Sequence, residues 1–301
     1  MDFSDAVASG RAQRLFRARE KVTEPGFISH ITQRAAGKEP LFLEEIDYLT
    51  MLGLLKESAE KFNLRYYALC LMPNHVHLLI EPQERNLAEA MRSIFSRYAA
   101  KFNSKYERRG HLFGGPYRQS VCLDSTYLLT ASVYIHLNPV RADLIDESNS
   151  YRWSSSAVYC RQTPRESFID PQPVLRLVHE DGATARRKYK QLLLKVQGAA
   201  PDNALEQEGA VEKFCTRLSR MFPDLFKTLA GQPDEGNPGL LEITELERRL
   251  RELNRNGSRA PESRRAKKYV VEQLLARGYK KTEIAGRLGV SRKTVYNILK
   301  A

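Results

Sequence analysis

Between Gly26 and Gln197 the chain alternates two hydrophobic rhythms. In GFISHITQR, Gly26 to Arg34, apolar residues fall at alternate positions, the period of a strand with one buried face. In LEEIDYLTMLGLLKESAEKF, Leu43 to Phe62, they recur three and four residues apart and predict a helix. LRYYALCLM, Leu64 to Met72, is rich in strand formers; Pro73 and Asn74 supply a turn, and HVHLLIEP resumes as a strand, so the pair predicts a hairpin. LAEAMRSIFSRYAAKFNSKYERRG predicts a helix up to Gly110, and a short extended piece surrounds YRQSVCL. STYLLTASVYIHLN, Ser125 to Asn138, predicts a helix stopped by Pro139. The order βαββαβα implies an α+β domain, a small antiparallel sheet with helices packed against it.

Three stretches break the rhythm: the polar opening up to Pro25 and Gly26, QGAAPDNALEQEG from Gln197 to Gly209, and GQPDEGNPG from Gly231 to Gly239. They divide the chain into an N-terminal arm (1–25), a main domain (26–160), a helical extension (161–196), a linker holding a short amphipathic helix in VEKFCTRLSRMF (197–240) and a C-terminal domain (241–301). In that last domain YKKTEIAGRLGVSRKTVYNILK predicts a helix containing Ala285, a turn at Gly289 and a second helix capped by Ser291. RRAKKYVVEQLLARG precedes it as a supporting helix, with Val270, Val271, Leu274 and Leu275 towards an all-α core. The pattern resembles the helix-turn-helix of resolvase-like and regulatory DNA-binding domains. In that arrangement the second helix enters the major groove of duplex DNA, leaving Ser291, Arg292, Lys293, Thr294, Tyr296 and Asn297 to contact bases or phosphates, while Val295, Ile298 and Leu299 pack inward.

Charge agrees with a nucleic-acid partner. The formal net charge is +12, and it is concentrated at the C-terminal end, where residues 241–301 hold 16 Lys and Arg against 7 Asp and Glu. No run of about eighteen apolar residues exists to span a bilayer, and the charged opening lacks the apolar segment of a signal peptide, so the expected location is cytoplasmic and nucleoid-associated. The four cysteines stand singly, without a CxxC pair, and read as ordinary buried thiols.

The chain has only six histidines, and two of them, His75 and His77, lie two apart in an apolar strand. Residues at that spacing share a face, which suits a bidentate metal clamp; two histidines on a solvated face is the plainer reading. In the helix ending at Asn138, Tyr134 and Asn138 are four apart and share a face, so a phenol nucleophile and an amide ligand could stand one turn from each other. Tyr127 sits seven residues before Tyr134 on roughly the same side, and spacing alone does not choose between them.

PNHVHLLI, followed by GHLFGGPYRQSVCLDSTYLLTASVYIHLNPVRADLI and YRWSSSAVY, resembles the REP-associated tyrosine transposases, the single-tyrosine branch of the HUH nucleases. The resemblance runs from Phe27 to Tyr159, with a weaker echo as far as Lys195. It implies a ferredoxin-like core with the histidine pair on a central strand and the tyrosine on a helix beside it. It further implies that His75, His77 and Asn138 bind Mg²⁺ or Mn²⁺, with no small-molecule cofactor, and that Tyr134 is the nucleophile. The implied reaction is cleavage of single-stranded hairpin or REP-like DNA through a 5′-phosphotyrosine link, followed by strand transfer without ATP. GGPYR, Gly114 to Arg118, departs from the family in having Pro116 where a basic residue is expected, while Arg118 still supplies a cation. Some relatives exchange the tyrosine helix between subunits and others act within one chain, so monomer and homodimer both stay open.

Single-stranded DNA is held by cations tracking phosphates and aromatics stacking on bases. FSRYAAKFNSKYERRGHLFGGPYR offers Arg97, Lys101, Lys105, Arg108, Arg109 and Arg118, interleaved with aromatics of which Phe95, Tyr98 and Phe102 have the spacing of a helix core stripe. The preferred reading is therefore a DNA transposase tethered to a duplex-reading helix-turn-helix. The alternative is a sequence-specific DNA-binding regulator with an inactive or hairpin-binding HUH core. An RNA-binding sheet fits least, because HVHLLIEP places histidines where bases would stack.

Overall fold

Strand period and turn chemistry give the hairpin its predicted boundaries: β2 (Leu64–Met72) and β3 (His75–Pro82) pair antiparallel across Pro73 and Asn74. The computed structural model describes residues 21–37, 39–122, 124–161, 167–198, 210–231, 241, 243–255, 261–277 and 279–300. Most of the N-terminal arm, and the greater part of both acidic stretches after Gln197, lie outside the described residues. Strands β1 (Ser29–Arg34) and β4 (Arg118–Val121) complete a four-stranded antiparallel sheet of order β2-β3-β1-β4, so β3, with its two histidines, is central. Helices α1 (Glu45–Lys61), α2 (Leu87–Lys105) and α3 (Ser125–Arg141) connect and follow the strands in the predicted order.

The register fixes two faces. Thr32 lies opposite both His77 and Arg118, and His30 opposite Leu79, so these residues share a face with His75. Ile31, Val76, Leu78 and Ile80 point the other way. Helix α1 covers that second face, where its Ser58 hydroxyl meets the Tyr66 hydroxyl at 2.7 Å, and α2 lies alongside α1. Helix α3 packs on the first face, bringing Tyr134 against His77.

Two helix ends differ from the sequence reading. Helix α2 stops at Lys105 rather than near Gly110, because Glu107 takes a left-handed φ of 50° and the Arg108 N–H donates to the Asn103 carbonyl at 2.9 Å, closing the end as a Schellman-type cap. Helix α3 runs through Pro139 to Arg141. Proline there removes one helical donor, and the last turn is still tied by Ala142 N–H to Asn138 O and Leu144 N–H to Pro139 O.

Past the sheet, α4 (Ser156–Cys160), α5 (Gln172–Val178) and α6 (Gly182–Gln197) pack around α3. The segment read as a linker contributes two helices, α7 (Ala210–Met221) and α8 (Pro223–Gly231), where the sequence suggested one. Both bury apolar residues, Phe214, Leu218, Phe226 and Leu229, in the main core, so they belong to that body. All four cysteines are free; Cys70 and Cys122 are buried, Cys160 and Cys215 half-buried. Among the described residues no helix is long and apolar enough to cross a membrane.

A separate core joins α9 (Ile243–Arg255), α10 (Pro261–Ala276), α11 (Lys281–Arg287) and α12 (Arg292–Lys300) through Leu246, Leu250, Val271, Leu274, Ile284 and Val295. Helix α9 goes beyond the supporting helix read from sequence. Gly289 adopts a φ of +61° at the predicted turn, and Ser291 Oγ accepts from the Thr294 N–H at 3.1 Å, as its capping role requires.

Helix α10 also presents the buried Glu272 towards Glu24, which is paired with Arg85. Burial, then the Glu24 charge, pushes the Glu272 carboxyl up from 4.5 to about 7. A folded-state value above the unfolded one means the folded state binds the extra proton between these limits. Stability is therefore lost as pH rises from about 4.5 to about 7. Glu272→Gln should be more stable than wild type at pH 8 and indistinguishable near pH 4.5. Parallel melting curves across this range would contradict the assignment.

Candidate active site

His75 and His77 are each 4% exposed, so the solvated-face reading of the pair is wrong. Their ring centroids lie 4.8 Å apart. Both Nδ1 atoms engage the protein: His75 Nδ1 meets Asn74 Oδ1 at 2.6 Å, and His77 Nδ1 meets His30 Nε2 at 3.0 Å and Thr32 Oγ1 at 3.3 Å. Any metal bound by the pair would thus be ligated through Nε2. Burial, then the neighbouring His75, His30 and Arg34, holds His77 well below the usual imidazole range, which keeps it neutral and fit to ligate. Burial alone lowers His30 to about 4.

The backbone delivers the tyrosine to the same place. Asp124 caps α3, its Oδ1 accepting from the Tyr127 N–H at 2.7 Å. Three turns on, the Tyr134 ring stands edge-on to His77 at 5.6 Å and to His30 at 5.8 Å. It also meets the Phe214 ring of α7 edge-on at 6.0 Å, and the residue is 4% exposed. Phe214 also lies under the Arg141 guanidinium at 4.4 Å. Tyr127 is buried two turns earlier in α3. Asn138 follows Tyr134 by one turn and donates from Nδ2 to the Tyr134 carbonyl at 2.9 Å, leaving Oδ1 as the atom suited to a metal.

Among the described residues no three His, Cys, Asp or Glu side chains are arranged as a metal cluster. A divalent ion here would rely on the two imidazoles, the Asn138 amide oxygen and oxygens from DNA or water. That mixed, incomplete donor set fits an ion with open positions.

The sequence reading did not single out His30. Its place follows from the β1–β3 register, which sets it diagonal to His77, 47 residues away in the chain. His136 was also passed over, although it lies within the tyrosine motif. It is fully buried on the side of α3 away from Tyr134, with Nδ1 on the Tyr189 hydroxyl at 2.8 Å and Nε2 on the Ser155 hydroxyl at 2.7 Å.

The expected DNA-contacting cations separate. Arg118 is exposed on β4 and shares the face of the histidines. Arg97, Lys101 and Lys105 lie on α2, beside α1. Arg97 forms a fork with Glu57 at 2.6 and 2.8 Å, Lys105 pairs with Asp47 at 2.8 Å and Glu44 at 3.2 Å, and Arg108 pairs with Glu39. Arg109 is exposed just beyond the helix. Phe95, Tyr98 and Phe102 are buried in the core. On α12 and the turn before it, Ser291, Arg292, Lys293, Tyr296 and Asn297 are exposed and Thr294 half-exposed, whereas Val295 and Ile298 are buried and Leu299 is half-buried. Tyr296 carries Lys281 over its ring at 3.5 Å and accepts from Arg292 at 3.3 Å.

Residues 26–138 match the family model described as Transposase IS200 like, and residues 260–301 match the Homeodomain-like domain model. The chain is thus similar to IS200-like transposases over its sheet domain and to homeodomain-like domains over its C-terminal helix-turn-helix. No curated relative matches the chain. A solved structure described as a REP-associated tyrosine transposase bound to a REP hairpin aligns over 46% of this chain and 80% of its own, with 12% identity and a TM-score of 0.40.

Proposed function

We propose that this protein is a DNA transposase that cleaves and rejoins single strands through Tyr134, with His75, His77 and Asn138 as the ligands of a Mg²⁺ or Mn²⁺ ion. The observation that supports the reading most directly is the packing of Tyr134 against His77, with His75 beside it, on one covered face of the sheet. When bound, the ion would supply Lewis-acid polarisation of the scissile phosphate. Tyr134 Oη attacks phosphorus, forming the Tyr–O–P bond while the P–O3′ bond breaks; the phenol loses its proton and the 3′ oxygen gains one. The phosphodiester energy is kept in the phosphotyrosine, so a second 3′-OH reverses the step on a new strand without ATP. The α3 backbone fixes the approach of the phenol, and the buried, neutral His77 can offer a lone pair without first losing a proton.

Arg118 is proposed to hold a phosphate next to the site, because it shares the histidine face, whereas Arg97 is committed to Glu57 on the far side. Arg118→Ala should weaken hairpin binding about tenfold and lower the salt slope by about one, with Arg97→Ala within about twofold of wild type. Equal losses in a salt titration would place the strand along α2 instead. Helix α12 is proposed to read duplex DNA through Ser291, Arg292, Lys293, Thr294, Tyr296 and Asn297.

One observation favours the second reading, a hairpin-binding regulator: Phe214 covers Tyr134. The deciding experiment incubates full-length protein with labelled single-stranded hairpins and Mn²⁺ or Mg²⁺ and resolves the products on a denaturing gel. A metal-dependent covalent adduct supports the transposase. Tight binding without an adduct across varied hairpins supports the regulator.

A further inference from the structure

We infer that His30 is a positioning residue of the histidine pair: its Nε2 accepts a hydrogen bond from His77 Nδ1–H and so holds His77 in the tautomer whose Nε2 lone pair faces the site. The inference rests on the reading of His77 as a metal ligand.

His75 Nδ1 lies 2.6 Å from Asn74 Oδ1, an oxygen with no proton to give, so Nδ1 must be the donor and Nε2 the lone-pair nitrogen. For His77 to ligate through the same ring position it too must carry its proton on Nδ1, and it needs an acceptor there. Among the described residues, two groups reach Nδ1. Thr32 Oγ1 is the more distant at 3.3 Å, and His30 Nε2 lies at 3.0 Å. The opposite polarity, with His30 donating, would consume the Nδ1 lone pair and turn an N–H towards the site, which disqualifies His77 as a ligand. His30 is 6% exposed, and an imidazole is retained in such a place at a desolvation cost that only its hydrogen bonds offset. Backbone geometry makes the arrangement specific: His30 and His77 belong to adjacent strands, diagonal across the β1–β3 ladder, and their ring centroids are 5.1 Å apart. Outer groups of this kind orient metal-bound histidines and typically alter metal affinity by about 10- to 100-fold when removed.

The test uses full-length, ¹⁵N-labelled, metal-free protein. With six histidines in the chain, two-bond ¹H–¹⁵N correlation spectra can resolve each ring, and the signals lost in His77→Ala assign His77. The expected result is an Nδ1–H tautomer for His77 in wild type and a shift towards Nε2–H in His30→Ala. In the same samples, Mn²⁺ titration followed by electron paramagnetic resonance should show affinity falling about 10- to 100-fold in His30→Ala. His30→Gln, which keeps an acceptor oxygen, should recover part of it. An Nε2–H tautomer of His77 in wild type overturns the proposal, as does Mn²⁺ affinity within twofold of wild type in His30→Ala. If His77→Ala binds Mn²⁺ as wild type does, the ligand reading fails first, and the tautomer spectrum still reports the polarity of the hydrogen bond on its own.

Discussion

Tyr134→Phe is expected to abolish the covalent protein–DNA adduct, a loss of at least about 10³-fold, while hairpin binding stays within about twofold of wild type. The asymmetry follows from what the substitution removes. The ring keeps its edge contacts with His77 at 5.6 Å, His30 at 5.8 Å and Phe214 at 6.0 Å, so packing around α3 is preserved. Only the hydroxyl oxygen is lost, and phenylalanine offers no atom that can attack phosphorus. Tyr127→Phe is the matched control, a tyrosine two turns earlier on the same helix, and should leave the adduct intact. An adduct that survives Tyr134→Phe and disappears in Tyr127→Phe would reassign the nucleophile. A second comparison uses Phe214→Ala, which uncovers the Tyr134 ring and should raise adduct yield in the wild-type tyrosine background only.

Much of this site was legible because it depends on local periods. A strand repeats every two residues, so HVH had to place both imidazoles on one face; a helix repeats every 3.6, so Tyr134 and Asn138 had to share a side. The strand limits at Leu64, Met72, His75 and Pro82 were readable because Pro73 and Asn74 are turn residues between two apolar runs. The end of α2 was not, since KYERRG is polar and contains no breaker before Gly110; it is set by one left-handed residue, Glu107, and a backbone bond to Asn103.

Partnerships between distant segments were the least legible. Arg97 and Lys105 looked like a cation track, yet Glu57 and Asp47, from a different helix, face them across α1 and α2. The burial of Tyr134 under Phe214 joins residues 80 apart, and α7 itself read as part of a linker because its apolar stripe had no visible partner. His30 sat in a strand whose alternation was recognised, and its role emerged only from the register that sets it beside His77. By contrast the helix-turn-helix was almost fully readable, because Ala285, Gly289 and Ser291 act within one short stretch.

His136→Ala carries the second large effect, this time on stability. The side chain is fully buried and neutral, burial having pushed it down to about 3, and a neutral imidazole donates through one nitrogen and accepts through the other. Both are met, by Tyr189 at 2.8 Å and Ser155 at 2.7 Å; Tyr189 continues to Ser132 at 3.0 Å, and Ser155 accepts from the Leu69 N–H at 2.9 Å. The network thus ties α3 to α6 and to β2 on the side opposite Tyr134. Alanine leaves a cavity and deprives two buried hydroxyls of a partner, a loss of about 3–5 kcal/mol, which corresponds to a fall in Tm of roughly 10 °C. The same residue makes an acid limb. Its folded-state value lies below the unfolded 6.5, so the unfolded chain binds more protons as pH falls from about 6.5 to about 3, and stability drops over that window. In His136→Ala that limb should flatten, and adduct yield should fall because α3 loses its anchor. His136→Gln, able to keep one of the two bonds, should lie between. A variant that melts within about 2 °C of wild type would show that α3 is held by its apolar packing alone.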